Sequence, residues 1–213
     1  MTRSLLLLIF IAGFYACAMN KHQQKRSVNS KNVTIISLFP EISFDTLNVF
    51  SWSDVDDPKY KYKGILLDST RLKLFPEYLN FTYEASQPMY MCYRFKLDKI
   101  NTGLIMRTFS EYVSSKIQLF IYDQKMDSIY YERDLAENFG DGGEVFLQES
   151  WLYFSTNKKI MCFTEETNLY YNSVDNPADT SVEHSSYYKL VELLSPDTIR
   201  TIDKNIINRF KGR

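Results

Sequence analysis

Apolar and polar residues alternate in the middle of the chain, and this period of two is the pattern that most restricts its fold. In residues 89–97 every odd position is apolar, whereas Arg94 and Lys96 point the other way. This alternation is typical of a half-buried strand, because successive side chains of a strand point to opposite faces. The run predicts a strand that turns at residues 98–103 and pairs with residues 104–109, with Phe95 in the core and Lys96 in water.

Similar runs follow, separated by short polar breaks. In residues 116–122 the side chains of Ile117, Leu119 and Ile121 share one face, and residues 128–133 are predicted to return as the second strand of a hairpin.

The next stretch contains a glycine-rich loop between two predicted elements. Residues 134–139 are predicted to form one helical turn, and residues 140–143 a tight loop that uses the positive φ angles open to glycine. Residues 144–154 and 159–164 then predict another hairpin.

Six successive strands with short connections predict an antiparallel meander, because parallel neighbours would need long crossovers. A sheet with one apolar face must cover that face. The predicted fold is therefore mainly β, a meander that forms a sandwich or a partly closed barrel.

Helical spacing is clearest near the C-terminus. Ser195-Pro-Asp can cap a helix, and apolar residues then recur every three or four positions, at Ile199, Ile202, Ile206, Ile207 and Phe210. We expect a short amphipathic helix. Isoleucines also suit a strand, so both a helix and a strand are possible for residues 195–210. Residues 70–79 are equally ambiguous, because Pro76 would break a helix there.

The composition is that of one globular domain. Apolar residues make up 45% of the chain and charged residues 24%, which argues against disorder. The 33 aromatic residues favour strands. No Pro/Gly/Ser-rich linker interrupts residues 33–213, so we predict a single β-rich domain there. The net charge of −1 gives no electrostatic reason to expect nucleic acid as a partner.

The N-terminal segment differs in charge from the rest of the chain. Residues 1–40 contain five basic residues and no acidic one, and residues 5–15 form an apolar run that is too short to span a bilayer. Basic, apolar and acid-free beginnings are typical of targeting segments. Cleavage before Cys17 would remove a signal peptide of residues 1–16 and free the Cys17 thiol for acylation.

Residues 17–32 would then be a lipidated cysteine and a flexible tether. Residues 19–32 are so polar that burying them would not offset the conformational entropy lost on ordering. The segment resembles the lipoprotein signals of Gram-negative bacteria, with Phe14 where leucine is commonest. Two alternatives stay open. Cleavage after Ala18 would give a secreted protein, and the third case is a mitochondrial or uncleaved segment.

No pattern of catalytic or metal-binding residues stands out. The chain has two histidines, His22 and His184, and it has no Gly-x-Ser-x-Gly elbow; we expect His184 to lie in a solvated loop. There is no Cys-x-x-Cys pair and no phosphate-binding glycine loop. The acids of residues 54–57, and Asp141 with Glu144, are expected to be exposed turn residues rather than calcium ligands. We therefore predict no catalytic residue, no metal and no cofactor.

Cys92 and Cys162 are candidates for a disulfide, which an oxidising envelope would permit. The alternative is two buried free thiols that act as small hydrophobic residues. Because Cys92 occupies an even position in its strand, it is expected to be partly exposed.

Some aromatic residues are of the type that stacks on sugars: Trp52, Trp151, Tyr153, Tyr170 and Tyr171. A sheet of this size also needs large side chains for its core, and we favour that role for most of them. Tyr170 and Tyr171 lie in a polar context and are the best candidates for ligand-facing aromatics.

Four motifs in residues 90–166 resemble small uncharacterised lipoproteins of Gram-negative bacteria. They are Phe95-Lys-Leu-Asp with Thr102-Gly-Leu, Ile117-Gln-Leu-Phe-Ile-Tyr-Asp123, Phe139-Gly-Asp-Gly-Gly, and Ser150-Trp-Leu. The resemblance covers about a third of the chain. The motifs describe strands and turns, so the resemblance implies no functional residue.

Taken together, these patterns predict a lipid-anchored protein of the bacterial cell envelope, at the outer membrane or on the periplasmic side. Its expected role is non-enzymatic, either structural or in binding a glycan or another envelope protein. The alternative is a small secreted hydrolase that acts on polysaccharide through two carboxylates.

The lipid anchor can be tested by labelling cells with an alkyne fatty acid. We expect the wild type to be labelled and Cys17→Ser to remain unlabelled, because only the Cys17 thiol would carry the acyl group. A mature protein that begins at Met19 and partitions into the aqueous phase of a detergent extract would contradict this prediction.

Overall fold

The computed structural model describes residues 31–52, 57–76, 88–110, 115–195, 202 and 204–211; all but Lys31 belong to a unit that runs from Asn32 to Arg213. Over these residues the chain forms nine strands: β1 (Thr46–Phe50), β2 (Ile65–Leu66), β3 (Tyr90–Lys96), β4 (Asn101–Thr108), β5 (Lys116–Asp123), β6 (Ser128–Asp141), β7 (Glu144–Phe154), β8 (Ile160–Tyr171) and β9 (Val182–Glu192). The described α-helices are α1 (Lys31–Ile36), α2 (Ser69–Leu72) and α3 (Lys204–Lys211).

The strands form one antiparallel sheet in the order β2-β3-β4-β5-β6-β7-β8-β9, and β1 pairs with β7 beside β6. The predicted meander is therefore confirmed, and β7 has the bounds predicted for it. The described strands do not close into a barrel. Gly142 and Gly143 connect β6 to β7 with φ angles of 57° and 90°, as expected for a tight hairpin turn.

Strand β6 belongs to two parts of the sheet. Its first half pairs with β5 and its second half, from Glu137 to Asp141, pairs with β7. Two irregularities in the β5–β6 register, after Ile117 and after Leu119, lie near the change of partner, and such bulges increase the local bend and twist of a strand. We call β2–β5 with the first half of β6 the first half-sheet, and the rest of β6 with β7–β9 and β1 the second half-sheet.

The helical turn predicted for residues 134–139 is wrong, because these residues are part of β6. Leu135 and Ala136 are fully buried in the core, and Glu137 and Asn138 pair with Gln148 and Leu147 of β7. Pairing with a neighbouring strand thus decides the structure of a segment whose own sequence lacks alternation.

The main core lies between the two half-sheets. Ile117, Leu119 and Ile121 of β5 share one face, as predicted, and pack in a cluster with residues of the second half-sheet that include Leu152 and Cys162. The sheet is folded over this cluster, and the arrangement is sandwich-like.

The outer face of each half-sheet is also covered. Ile35 of α1 and Leu72 of α2 pack in a cluster with Phe120 on the first half-sheet. On the second half-sheet, Phe210 of α3 lies 5.6 Å from Trp151, measured between ring centroids. The C-terminal helix is therefore confirmed for Lys204–Lys211. Ile202, which is predicted to lie within the helix, precedes it, and Pro196, Asp197 and Ile199 lie outside the described residues.

Two further findings concern the described helices. Helix α1 begins at Lys31, two residues inside the segment predicted as a tether, and α2 accounts for part of the ambiguous stretch 70–79. None of the described helices has the length and apolarity needed to cross a bilayer.

A bulge in β3 changes which residues face the main core. Met91 pairs with Met106 and Tyr93 pairs with Ile105, so that Cys92 is an extra residue between them. Met91 therefore packs on the α1 side of the sheet, whereas Phe95 packs in the main core. The expectation that the odd positions share one face is wrong for Met89 and Met91, because the bulge interrupts the alternation after them.

Phe95 also covers a glycine of the neighbouring strand. It pairs with Gly103, and a Cβ atom added at Gly103 would come within 2.5 Å of the Phe95 ring. An aromatic ring laid over a strand glycine replaces the contacts that the glycine cannot make. Phe95 thus joins β3 to β4 as well as filling the core.

Substituting the two neighbours Phe95 and Lys96 tests this assignment of faces. We expect Phe95→Ala to lower the free energy of unfolding by roughly 3–5 kcal/mol, because it removes a buried aromatic side chain. Lys96 is exposed, so Lys96→Ala should stay within about 0.5 kcal/mol of the wild type. Urea denaturation measures both, and equal losses would mean that the faces are assigned wrongly.

Candidate functional site

The inner face of the second half-sheet changes character along its strands. On β7 the residues that alternate onto this face are Leu152 in the main core, then Ser150 and Gln148, and finally Phe146 and Glu144 next to the β6–β7 turn. The face therefore runs from an apolar core through a buried polar layer to an open end.

The polar layer is held together by hydrogen bonds and an ion pair. Ser150 Oγ and Thr164 Oγ1 lie 2.8 Å apart, and Gln148 Nε2 donates to the backbone oxygen of Asp134 at 3.0 Å. Glu137 accepts a hydrogen bond from Ser110 Oγ at 2.5 Å and lies 3.1 Å from Lys116 Nζ. Since these buried groups have partners, the layer can separate the apolar core from the open end at little cost.

Beyond this layer lies an open groove of about 830 Å³ between the end of β6 and the strands β7, β8 and β9. Phe139 and Phe146 lie side by side in it, with ring centroids 5.2 Å apart. The described residues that line the groove are Phe139, Asp141, Gly142, Glu144, Val145, Phe146, Asn168, Leu169, Tyr170, Glu183, His184 and Ser185.

The groove carries negative charge. Asp141, Glu144 and Glu183 line it, and neither lysine nor arginine is among its described lining residues. Glu144 and Glu183 both pair across the sheet with Tyr170, one from each side. Within the described part of the chain, neither of these two carboxylates forms an ion pair with a basic side chain.

A further acid, Asp175, holds the hydroxyl group of Tyr170. The Tyr170 hydroxyl donates to Asp175 Oδ2 at 2.5 Å. This hydrogen bond is the main reason why the pKa of Tyr170 is raised, and slight burial and the charges of Asp175, Glu144 and Glu183 add to the effect.

The two tyrosines predicted as ligand-facing lie on opposite faces of β8. Tyr170 lines the groove, whereas Tyr171 is 40% exposed and is not among the lining residues. Neighbouring residues of a strand cannot share a face, and a prediction made without the strand could not separate them.

The other candidate aromatics are mainly packing residues. Tyr153 is buried, and Trp151 packs against the cluster that contains Phe163 and Phe210. The interpretation of Trp151 and Tyr153 as core residues is confirmed, whereas Trp52 is exposed.

His184 is solvated, as predicted, but it lies in strand β9 rather than in a loop. Its Nε2 atom is 3.3 Å from Ser186 Oγ, which is also 3.2 Å from Thr167 Oγ1. A serine nucleophile requires a base that a third group holds in place. Among the described residues, no acid hydrogen-bonds to His184.

Cys92 and Cys162 are both free thiols in the structure, and both are buried in the main core. The expectation that Cys92 is partly exposed is wrong; it is 2% exposed, because the bulge in β3 turns it inward. Burial raises the pKa of Cys92 to about 12 and also raises that of Cys162. Both thiols therefore stay protonated near neutral pH and are poor nucleophiles.

Two other candidates cannot be placed. Cys17, and Asp54 and Asp56 of the acidic turn, lie outside the described residues. In the part of the chain that the structure describes, no group of three or more His, Cys, Asp or Glu residues could hold a metal ion.

Phe139, Phe146 and Glu183 are groove residues that sequence analysis missed. The sequence predicts a helical turn at Phe139, and the pairing of Phe139 with Phe146 follows only once β6 is known to be a strand. Glu183 lies on β9, a polar strand without regular alternation, and the β8–β9 register brings it beside Tyr170.

Comparison with known proteins does not assign this site. The chain matches no family model, no curated protein and no solved structure.

Glu149 is the described acidic residue whose pKa is raised, and it lies outside the groove. Burial is the main cause, the charge of Glu165 adds to it, and the hydrogen bond from Asn48 Nδ2 at 2.6 Å opposes it. Glu149 alternates with Gln148 on β7 and therefore faces away from the groove. A general acid with a raised pKa would be expected inside a catalytic cleft, and Glu149 does not meet this condition.

Replacing Glu149 with glutamine tests the cause of this shift. Because the pKa is higher in the folded protein, the folded state holds the proton more tightly, and wild-type stability falls as the pH rises above the unfolded pKa. Glutamine can still accept from Asn48 but does not titrate. We expect Glu149→Gln to gain stability relative to the wild type between about pH 4 and pH 7. A difference that is constant over this range in thermal unfolding would contradict titration as the cause.

Proposed function

We propose that the protein is a non-enzymatic binding module of the bacterial cell envelope, held at the membrane by a lipid on Cys17, with the groove as its ligand site. The observation that carries the proposal is the groove itself. Helices cover the outer faces and the main core fills most of the inner face, but aromatic and polar side chains stay accessible at this end. Such concave sites with a few placed polar groups are where ligands bind.

The sequence supports the location. The apolar run of residues 5–15, Ala16 before Cys17 and the basic tether fit a lipid anchor on the outer membrane or on the periplasmic side. The tether would add a weak attraction to anionic head groups. Secretion after cleavage at Ala18 is the alternative.

The chemistry of the groove supports binding rather than catalysis. The buried thiols are inert, and the acid with a raised pKa faces away. One observation favours the competing hydrolase: a single strand separates the two carboxylates of Glu144 and Glu183. Two strand spacings put their backbones about 10 Å apart, near the carboxylate separation of inverting glycosidases.

Two tryptophan substitutions on β9 test whether the groove binds. Ser185 is exposed in the groove, so Ser185→Trp would fill it; Val182 is exposed on the opposite face, so Val182→Trp is a matched control. The probes are an N-acetylglucosamine oligosaccharide and an arginine-serine peptide, titrated into the mature protein in detergent. We expect at least one probe to bind, with a loss of about tenfold or more in Ser185→Trp only.

Mass spectrometry of the oligosaccharide after long incubation separates the two classes of function. We expect intact oligosaccharide. Cleavage that is lost in Glu144→Gln would replace the binding module with a hydrolase. Binding that is equal in Ser185→Trp and Val182→Trp, or no saturable binding of either probe, would remove the groove as the ligand site.

A further inference from the structure

Two carboxylates of the groove have no basic partner among the described residues. Glu144 and Glu183 flank Tyr170 on the inner face, and within the described residues no lysine or arginine pairs with either. Further along the same face, Lys189 of β9 does have a partner, since its Nζ lies 2.5 Å from Glu166 Oε1. The negative potential is therefore concentrated at the open end of the face.

The aromatic residues of the groove suit the same kind of ligand. Phe139 and Phe146 present neighbouring rings that are only partly buried. A guanidinium or ammonium group is attracted to the face of an aromatic ring, and guanidinium also pairs with carboxylates through two hydrogen bonds. An uncharged glycan would stack on the rings but would leave the carboxylates without ionic partners.

The strand beside the groove suggests the shape of the ligand. Strand β9 is eleven residues long and ends the strand order, so that among the described residues its second edge pairs with no strand. Extended segments of partner proteins bind to sheet edges by adding a strand, and every second side chain of such a segment faces the same side of the sheet. Glu183 and Ser185 of β9 would be next to those side chains.

We infer that the groove takes an extended, positively charged segment of a partner protein, added to the edge of β9 with alternate lysine or arginine side chains against Glu183 and facing the groove that Glu144 and the Phe139–Phe146 pair line. This inference rests on the proposed function and adds the class of partner. The segment would reach the site by electrostatic attraction, and salt should weaken its binding.

The inference is tested with labelled octapeptides and fluorescence anisotropy of the mature protein in detergent. An alternating arginine-serine peptide is compared with an alternating glutamate-serine peptide and with a blocked peptide of four arginines and four serines. We expect the alternating arginine peptide to bind best, because all its charges can face the groove at once. Its affinity should fall by about tenfold between low and high salt.

Charge-matched variants locate the effect. The double variant Glu144→Gln/Glu183→Gln should weaken binding of the alternating arginine peptide by about fivefold or more. The control Glu41→Gln/Asp45→Asn removes the same charge from exposed acids outside the groove and should stay within about twofold. Unfolding curves of both variants show whether a loss comes from misfolding.

Four results would overturn the inference. The first is equal binding of the alternating arginine peptide to the groove variant and to the control. The second is equal binding of the alternating and blocked peptides, which would exclude the extended segment. If the oligosaccharide binds and Ser185→Trp abolishes it while the arginine peptide does not bind, the inference fails but the proposed function stands. If Ser185→Trp changes the binding of neither the oligosaccharide nor the arginine peptide, both the inference and the proposed function fail.

Discussion

The pairing of one long strand with two different neighbours determines the architecture. Strand β6 is bonded to β5 over its first half and to β7 over its second half, with two register irregularities near the change. A flat continuation of the meander would leave a whole apolar face in water. The change of partner lets the sheet fold over on itself, and the side chains of both half-sheets then share one core.

This fold leaves two outer faces that also need cover, and helices before β3 and after β9 supply it. Helix α1 and the stretch around α2 pack on the first half-sheet, and α3 packs on the second. The β3 bulge serves the same arrangement, since it directs Met91 to one side of the sheet and Phe95 to the other. Helices therefore lie on both sides of the two half-sheets; the sequence predicts the sheet layers and the C-terminal helix but not the helices that cover the first half-sheet.

The groove is a consequence of how the inner face ends. The strands of the second half-sheet continue past the apolar core, and the buried polar layer around Glu137, Gln148 and Thr164 marks the change from packing to solvent. Beyond it, the structure keeps two partly exposed aromatic rings and two carboxylates that have no basic partner among the described residues. Such an arrangement does not stabilise the fold, because like charges on one face repel. The exposed rings and carboxylates support a role in binding.

The sequence by itself determined the features that local periodicity predicts. These are the class of fold, most of the strands, the faces of β5, the bounds of β7 and the glycine turn before it. Alternation and turn residues determine the structure of only the few residues around them, so their effect can be predicted from the sequence alone. Tertiary pairing decided the rest. It made residues 134–139 a strand, turned Cys92 inward at a bulge, and built β9 from a polar stretch. It also aligned Glu144, Tyr170 and Glu183, which are far apart in the chain, and a register between distant segments is set by the whole sheet rather than by any one of its strands.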